Sequence, residues 1–315
     1  MSLFVNSSPH IRDSRTTQNI MLDVLIALIP ALAVSVYVFG TRPLLITLVT
    51  VVACLVFEYI ACRIKKTPTY VNNLSAVVTG VLLAFNMPES IPLWIPILGA
   101  LVAIVVIKEL FGGIGHNFAN PALAARIVLL LSFPEQMNNF TVKYQFSPQD
   151  TQLTGDLVSS ATPINLLATG GEVPSYLKLF LGQHAGVIGE VSAVALIIGL
   201  IYLLVRGVVK IWIPLTFVAT VALMAFITGN DPIFAMLSGG LLLGAIFMAT
   251  DYTTAPNSVK GKIIYGVGCG LITGMIRYYG SLPEGVSYAI LVMNLLTPII
   301  DHYTVIKPVG GVKHA

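Results

Sequence analysis

The sequence predicts an all-α polytopic membrane protein of about ten transmembrane helices. Three observations carry that prediction. Of 315 residues, 56% are hydrophobic and only 10% are Asp, Glu, Lys or Arg, against about 25% charged in soluble domains. Mean hydropathy is +0.87. Apolar runs close to the length of a membrane-crossing helix, about 20 residues, recur along the whole chain. Too few polar side chains exist to cover a soluble globule of this size, and the same figures exclude a disordered chain.

The elements follow in order. The stretch Met1 to Asn19 is largely polar and carries Arg12 and Arg15. The apolar run after it, Ile20–Phe39, is too long for the core of a cleavable signal and reads as a retained span. Further apolar segments are Leu44–Cys62, Leu74–Met87, Pro92–Ile107, Phe118–Phe133, Val187–Val205, Ile211–Thr228, Phe234–Thr250, Ile263–Ile276 and Val286–Ile300. Leu74–Met87 and Ile263–Ile276 fall short of a full crossing. Each is broken or re-entrant, or is continued by neighbouring polar residues inside a protein-lined cavity.

Lys and Arg set the orientation. With the N-terminus inside and ten alternating spans, the inner side collects Arg12, Arg15, Arg63, Lys65, Lys66, Lys108, Arg206, Lys210, Lys260, Lys262, Lys307 and Lys313. The outer side collects Arg42, Lys143, Lys178 and Arg277, and Arg126 is left within a span. Twelve against four is a strong positive-inside bias, so both termini are expected in the cytoplasm. Nine spans would put Arg206, Lys210, Lys260 and Lys262 outside. The chain then divides into a first membrane half, 1–133, a long polar outer loop, 134–186, and a second membrane half, 187–315. The halves are weakly alike. Leu74-Ser75 opens a Gly-containing run ending Ala84-Phe85-Asn86, and Leu237-Ser238 opens one ending Ala249-Thr250-Asp251. Five spans per half would make such repeats inverted in the membrane.

Several chemistries find no support. Cys54, Cys62 and Cys269 form no C-x-x-C, so neither an iron–sulfur site nor a disulfide framework is expected. The basic residues are scattered, with no nucleic-acid patch. Gly266-x-Gly268-x-Gly270 lies inside an apolar segment and reads as close helix packing rather than a dinucleotide fingerprint. Gly112-Gly113-Ile114-Gly115 lacks the Gly-Lys-Ser/Thr ending of a phosphate loop, and no H-E-x-x-H occurs.

Three features ask for a function. Asn117 and Asn120, three apart in Gly115-His116-Asn117-Phe118-Ala119-Asn120-Pro121, would share a helix face, either bonded to each other or open to a polar ligand. Pro121 suggests a helix start or break. Arg126 lies halfway along a span, where a charge is costly enough to imply function or a structural partner such as Asp23, Glu58 or Asp301. In the long loop, Asp156-Leu157-Val158-Ser159-Ser160-Ala161-Thr162-Pro163 would place Thr162 as N-cap and Pro163 at the first helical position.

That last stretch resembles the flavinylation motif D-x-x-[ST]-G-A-T, with Ser160 in place of the usual glycine. Met21–Leu28, Asn73–Gly80, Gly112–Ala122, Leu237–Gly240, Met248–Asp251, Pro283–Ile290 and Asn294–Asp301 resemble further segments of the same family, NqrB/RnfD. Its members are membrane subunits of the Rnf complex, a ferredoxin:NAD⁺ oxidoreductase, and of the sodium-pumping NADH:quinone oxidoreductase. The short N-terminal region resembles the Rnf branch. The resemblance implies a urea-transporter-like fold of two inverted five-helix repeats in a bacterial or archaeal cytoplasmic membrane. It implies FMN esterified through its phosphate to Thr162 on the outer face by a flavin transferase, within the motif formed by Asp156, Ser159, Ser160 and Ala161. It further implies a non-covalent riboflavin or ion path near Asn117, Asn120 and Arg126, and a place for Glu190 near the covalent flavin. Implied partners are the other Rnf subunits, including a second flavinylated subunit and iron–sulfur subunits, the coupling ion Na⁺ or H⁺, and membrane lipid. NAD and ferredoxin would bind elsewhere in the complex. The alternatives are the quinone-reducing relative and a urea-transporter-like channel without redox role.

Overall fold

The structure, a computed structural model, describes residues 16–66, 73–143, 157–159, 162–169, 173–190, 192–280 and 285–304. Helix α1 (Thr17–Phe39) opens on Thr16, whose hydroxyl accepts from the Asn19 N–H at 3.3 Å, and stops at Gly40 with φ +90°. Helix α2 (Arg42–Lys65) has Pro43 in its first turn and Arg63 and Lys65 in its last, charges that suit a helix C-terminus. With 23 and 24 residues, each measures roughly 35 Å at 1.5 Å per residue, enough to cross a bilayer.

The other elements of the first half are shorter. Helix α3 (Ser75–Phe85) has 11 residues. Helix α4 (Trp94–Leu101) runs on into a π-helical stretch, Val102–Glu109. Helix α5 (Pro121–Ser132) starts on the expected proline, three residues later than the apolar run. The connection between the halves is structured in part. Helix α6 (Pro134–Met137) precedes strand β1 (Thr141–Lys143), which pairs antiparallel with β2 (Leu157–Ser159), Thr141 opposite Ser159. Helices α7 (Pro163–Thr169) and α8 (Tyr176–Leu181) follow. Phe140, Ala185 and Val187 pack with Val38 and Phe39, fixing the connection to the far end of α1.

In the second half, α9 (Ala193–Val205) begins six residues after the apolar run does. Residues Val187–Glu190 are spent on contacts with the end of α3 instead: Ile188 N–H donates to Met87 and Gly189 N–H to Phe85. Helix α10 (Trp212–Ile227) is continuous. The run Phe234–Thr250, expected as one span, is broken into α11 (Pro232–Leu237), α12 (Leu241–Leu243) and a π-helical stretch, Gly244–Met248. Ser238 leaves the helical region and Gly239 and Gly240 turn at φ +72° and +66°. The short run Ile263–Ile276 is extended by polar residues at both ends into α13 (Val259–Tyr279), and α14 (Val286–Tyr303) closes the described bundle.

Among the described residues, three helices are long and apolar enough to cross a membrane: α1, α2 and α13. The burial pattern agrees with lipid surroundings. Ile29, Leu48, Val52, Ile64, Leu215 and Ile299 stand exposed, while Asp23, Glu58, Lys108 and Arg126 are buried. Large apolar side chains outside and charged groups inside are what a lipid solvent demands. One core joins the halves, with Leu28, Phe85, Leu123, Phe217, Phe247 and Ile290 all in it. Helix α1 packs on α9, α5 on α14, and α10 on α13. The last pair is the close packing expected at Gly266 and Gly270, which face Thr216 and Thr220; Gly274 adds Met224 to the same contact, while Gly268 meets Met293 of α14.

Candidate functional site

Polar groups converge at three levels of the bundle. The first lies at the end where the connection sits. Thr162 precedes Pro163, and its carbonyl accepts from Leu166 N–H at 2.9 Å, closing the first turn of α7. Its side chain does not act as the expected cap. The hydroxyl is buried, the residue 6% exposed, and it has no hydrogen-bond partner among the described residues. A buried hydroxyl without a partner is costly and rare. Two residues on, Ile164 fills the place a β-carbon on Gly239 would take. The Gly239–Gly240 turn is held by Arg277 of α13. Its Nη1 donates to Ala235 O at 2.9 Å, and its Nη2 to Ser238 O at 3.0 Å and Gly239 O at 2.9 Å. Glu190 is buried beside the same turn, with Oε2 3.3 Å from where a β-carbon on Gly240 would stand. Gly189 is a glycine because a side chain there would collide with Phe85.

The same end carries a second tie. Tyr176 of α8 donates its hydroxyl to Asp231, the N-cap of α11, which also accepts from Ile233 N–H at 2.9 Å. The tyrosine hydrogen bond holds the Asp231 carboxyl below its ordinary range and pushes the Tyr176 hydroxyl up.

The middle level is built around Arg126, 6% exposed in α5. Its Nη1 donates to Asn86 Oδ1 at 2.8 Å and to Ser287 Oγ of α14 at 3.0 Å. Asn86 Nδ2 in turn reaches Leu82 O at 2.6 Å and Met248 Sδ at 3.6 Å. The acidic residues that the sequence offered as partners are engaged elsewhere. Asp23 accepts from Arg206 at 3.0 Å and Tyr202 at 2.9 Å, Glu58 pairs with Lys108, and Asp301 accepts from the backbone and side chain of Asn257.

The third level is a cavity of about 90 Å³ at the opposite end of α1, lined by Met21, Ser75, Thr79, Lys108, Asn117, Asn120, Asp251 and Tyr252 among others. It is smaller than the roughly 300–1,000 Å³ of small-molecule sites. Asn117 and Asn120 do not share a helix face, since both precede α5. Nor is Asn120 open to a ligand through its oxygen. It caps α5, with Oδ1 accepting from Ala122 and Leu123 N–H at 3.1 and 3.3 Å, and its Nδ2 donates to Met248 O at 3.4 Å. Asn117 Oδ1 is a buried acceptor without a partner among the described residues. Shielding from water pushes the Asp251 carboxyl up, against hydrogen bonds from Thr253 that pull it down.

The structure thus brings Glu190 and Ile164, two residues after Thr162, to one glycine turn, Asn117 and Asn120 to one cavity, and Arg126 between the two sites. Asp156, Ser160 and Ala161 lie outside the described residues, and Ser159 ends β2. Sequence reasoning passed over Asn86, Arg277, Asp251 and Lys108. Asn86 and Asp251 were visible as the polar ends of the two related runs, but Arg277 and Lys108 were counted only as surface charge.

At Thr162, where the motif resemblance implies FMN, the side-chain oxygen has no hydrogen-bond partner among the described residues, as an esterified hydroxyl would need. At Asn117 the amide oxygen likewise has none, but the cavity there, about 90 Å³, is smaller than the riboflavin that the resemblance implies.

Comparison with known proteins agrees in family. Residues 4–310 match the NQR2, RnfD, RnfE family. The chain is 48% identical to the D subunit of the Na(+)-translocating ferredoxin:NAD(+) oxidoreductase complex of Acetobacterium woodii, over 99% of this chain and 97% of that protein. It is 36% identical to the D subunit of the proton-translocating ferredoxin:NAD(+) oxidoreductase complex of Clostridium ljungdahlii, over 95% and 94%. It is 34% identical to the D subunit of the ion-translocating oxidoreductase complex of Cronobacter sakazakii, over 95% and 97%.

Proposed function

The chain belongs to the NQR2, RnfD, RnfE family, and from that premise we propose that it is the flavin-carrying membrane subunit of an ion-translocating ferredoxin:NAD⁺ oxidoreductase. Its partners are the other Rnf subunits, among them a second flavinylated subunit and iron–sulfur subunits, and a flavin transferase that matures it. It sits in the cytoplasmic membrane with both termini inside and the Thr162 end outside. Its ten segments form two inverted five-helix repeats. The pairings of α1 with α9 and α5 with α14, each joining equivalent helices of the halves, support that symmetry.

The observation that carries the reading is the buried Thr162 hydroxyl, without a partner among the described residues, in the stretch resembling a flavinylation motif. Thr162 supplies the oxygen of a phosphoester to FMN, a bond that keeps the cofactor from dissociating at the outer surface. Glu190 and the Gly239–Gly240 turn form the wall beside it. At the other end, Asn117 would offer its Oδ1 to a second, non-covalent flavin, riboflavin by the family resemblance, once the cavity widens to admit it. Asn120 serves this site indirectly, by fixing the start of α5. When bound, the flavins supply one-electron carriage, and the protein sets their orientation and electronics. Arg126, Asn86 and Ser287 hold the end of α3, the middle of α5 and the start of α14 together between the two sites.

Ion movement is coupled to the redox drop. One charge moved against 100 mV costs about 2.3 kcal/mol. A two-electron drop of about 100 mV releases about 4.6 kcal/mol, enough for one to two ions at that potential. The coupling ion is Na⁺ or H⁺.

The test is direct. The full chain is co-expressed with a flavin transferase, and a denaturing gel is viewed under ultraviolet light beside Thr162→Ala. A fluorescent wild-type band that is dark in Thr162→Ala is the expected result. A dark wild-type band, with the transferase active on a known substrate, overturns the reading and brings forward a channel without redox role.

A further inference from the structure

Arg277 is not part of the flavinylation motif and stands more than a hundred residues from it in sequence. In space it lies behind the Thr162 segment. The link is Gly239. Ile164 Cδ1 and Arg277 Nη2 both crowd the place a β-carbon at 239 would occupy, with Nη2 2.6 Å from it. The glycine lets the helix carrying Thr162 come down onto the turn while the guanidinium supports the turn from beneath.

The chemistry of that support is specific. Residues 238–240 break a helix inside an apolar bundle, and the freed carbonyls of Ala235, Ser238 and Gly239 need donors. One guanidinium satisfies all three, at 2.9, 3.0 and 2.9 Å. The planar guanidinium spreads these bonds over two nitrogens in a fixed fork, whereas a lysine ammonium carries its donors on one nitrogen and lacks that fork. Both glycines have positive φ, so the turn itself is available to few other residues. Glu190 flanks the turn at Gly240. Turn, guanidinium, Ile164 and Glu190 therefore form one unit, and the Thr162 hydroxyl is buried two residues from its contact point.

We propose that Arg277 is a positioning residue for the flavin carried on Thr162: it holds the Gly239–Gly240 turn as the seat onto which Ile164 lands, and it keeps a fixed positive charge on the protein side of the flavin phosphate. This inference rests on the covalent-flavin reading above. The seat fixes the direction in which the ring leaves Thr162. The charge favours the reduced, more negative flavin, so its loss lowers the reduction potential.

The experiment uses the full chain, flavinylated by co-expression and purified with its partner subunits. Wild type is compared with Arg277→Gln, Arg277→Lys and Ile164→Ala. Four quantities are measured: band fluorescence on a denaturing gel, thermal midpoint, iodide quenching of the flavin in the folded protein, and flavin midpoint potential. Arg277→Gln is expected to keep the fluorescent band, to raise iodide quenching several-fold and to lower the potential, each tenfold loss in the one-electron reduction constant being about 59 mV. Arg277→Lys is expected to restore the potential but not the protection from iodide, because it returns the charge without the fork. Ile164→Ala leaves every Arg277 bond in place and is expected to raise quenching alone. It therefore tests the seat even where Arg277→Gln does not fold. Quenching unchanged in Ile164→Ala and in whichever Arg277 variants fold overturns the inference while the band leaves the covalent flavin standing. A dark wild-type band overturns both.

Discussion

Removing either charge of the Glu58–Lys108 pair should be among the most destabilising single substitutions in the first half. The two side chains are 1% and 2% exposed and sit in contact inside the membrane-spanning bundle. Lys108 Nζ also donates to Ser75 Oγ at 2.7 Å, while Glu58 Oε2 has no hydrogen-bond partner among the described residues. In Glu58→Gln the ammonium is stranded, and in Lys108→Met the carboxylate is. Breaking a buried pair on one side costs about 3–5 kcal/mol. The double variant Glu58→Gln/Lys108→Met removes both charges at once. The pair is incompletely hydrogen-bonded as it stands, so the double variant should fall within about 1 kcal/mol of wild type. The assay is SDS-titrated unfolding in mixed micelles, followed by intrinsic fluorescence, for wild type, both singles and the double. Singles within about 1 kcal/mol of wild type, or a double no more stable than the worse single, would refute the claim that burial and not sequence proximity makes this pair matter.

Two further outcomes follow from the geometry. Asn117→Leu should deplete non-covalent flavin in the purified complex, with the covalent band at Thr162 unchanged; equal flavin content by extraction would remove the cavity from the second-flavin reading. Gly270→Val should destabilise the α10–α13 contact by about 1–3 kcal/mol, the range for overpacking a tight interface, because its β-carbon would lie 3.0 Å from the backbone carbonyl of Phe217, which cannot rotate away. An unchanged thermal midpoint would mean that the two helices do not meet there.

The fold was legible where composition and length act alone. The long spans of α1 and α2 agree with their apolar runs, and α1 stays helical even across Pro30. The glycines at 266, 268 and 270 were legible as packing, and each does meet a neighbouring helix, Gly266 and Gly270 on α10 and Gly268 at Met293 of α14; Gly274, which continues the α10 contact, was not singled out. Legibility failed wherever hydropathy and backbone diverge. Phe234–Thr250 is apolar throughout, yet Ser238, Gly239 and Gly240 break it, and what permits the break is a side chain on another helix, Arg277. The run beginning at Val187 is apolar because it packs against α3, and its residues give their N–H groups to Phe85 and Met87 before any helix starts. For the candidate site, Thr162 was found through the motif resemblance, and Asn117 and Arg126 through residue type and placement. Their partners were not, because Asn86, Ser287 and Gly239 acquire meaning only when distant segments meet.

The breaks have a common logic that bears on how two sites coexist in one bundle. Helix α3 has 11 residues, roughly 16 Å of length, about half of the hydrocarbon thickness. A helix that ends at such a depth leaves carbonyls with no water to satisfy them. Asn86 answers part of that need by donating to Leu82 O, and Arg126 fixes the amide that does so. The same end receives the Ile188 and Gly189 N–H groups that bring Glu190 towards the Thr162 site. The other end of α3 opens, through Ser75 and Thr79, on the cavity of Asn117. The two candidate sites therefore lie at opposite ends of one short helix. A full-length span in that position would bury its polar ends outside the membrane and leave both sites without the groups that define them. Arg126→Leu should accordingly disturb both sites together, raising flavin exposure at Thr162 and lowering retention in the cavity. A variant that altered one and spared the other would show that α3 does not couple them.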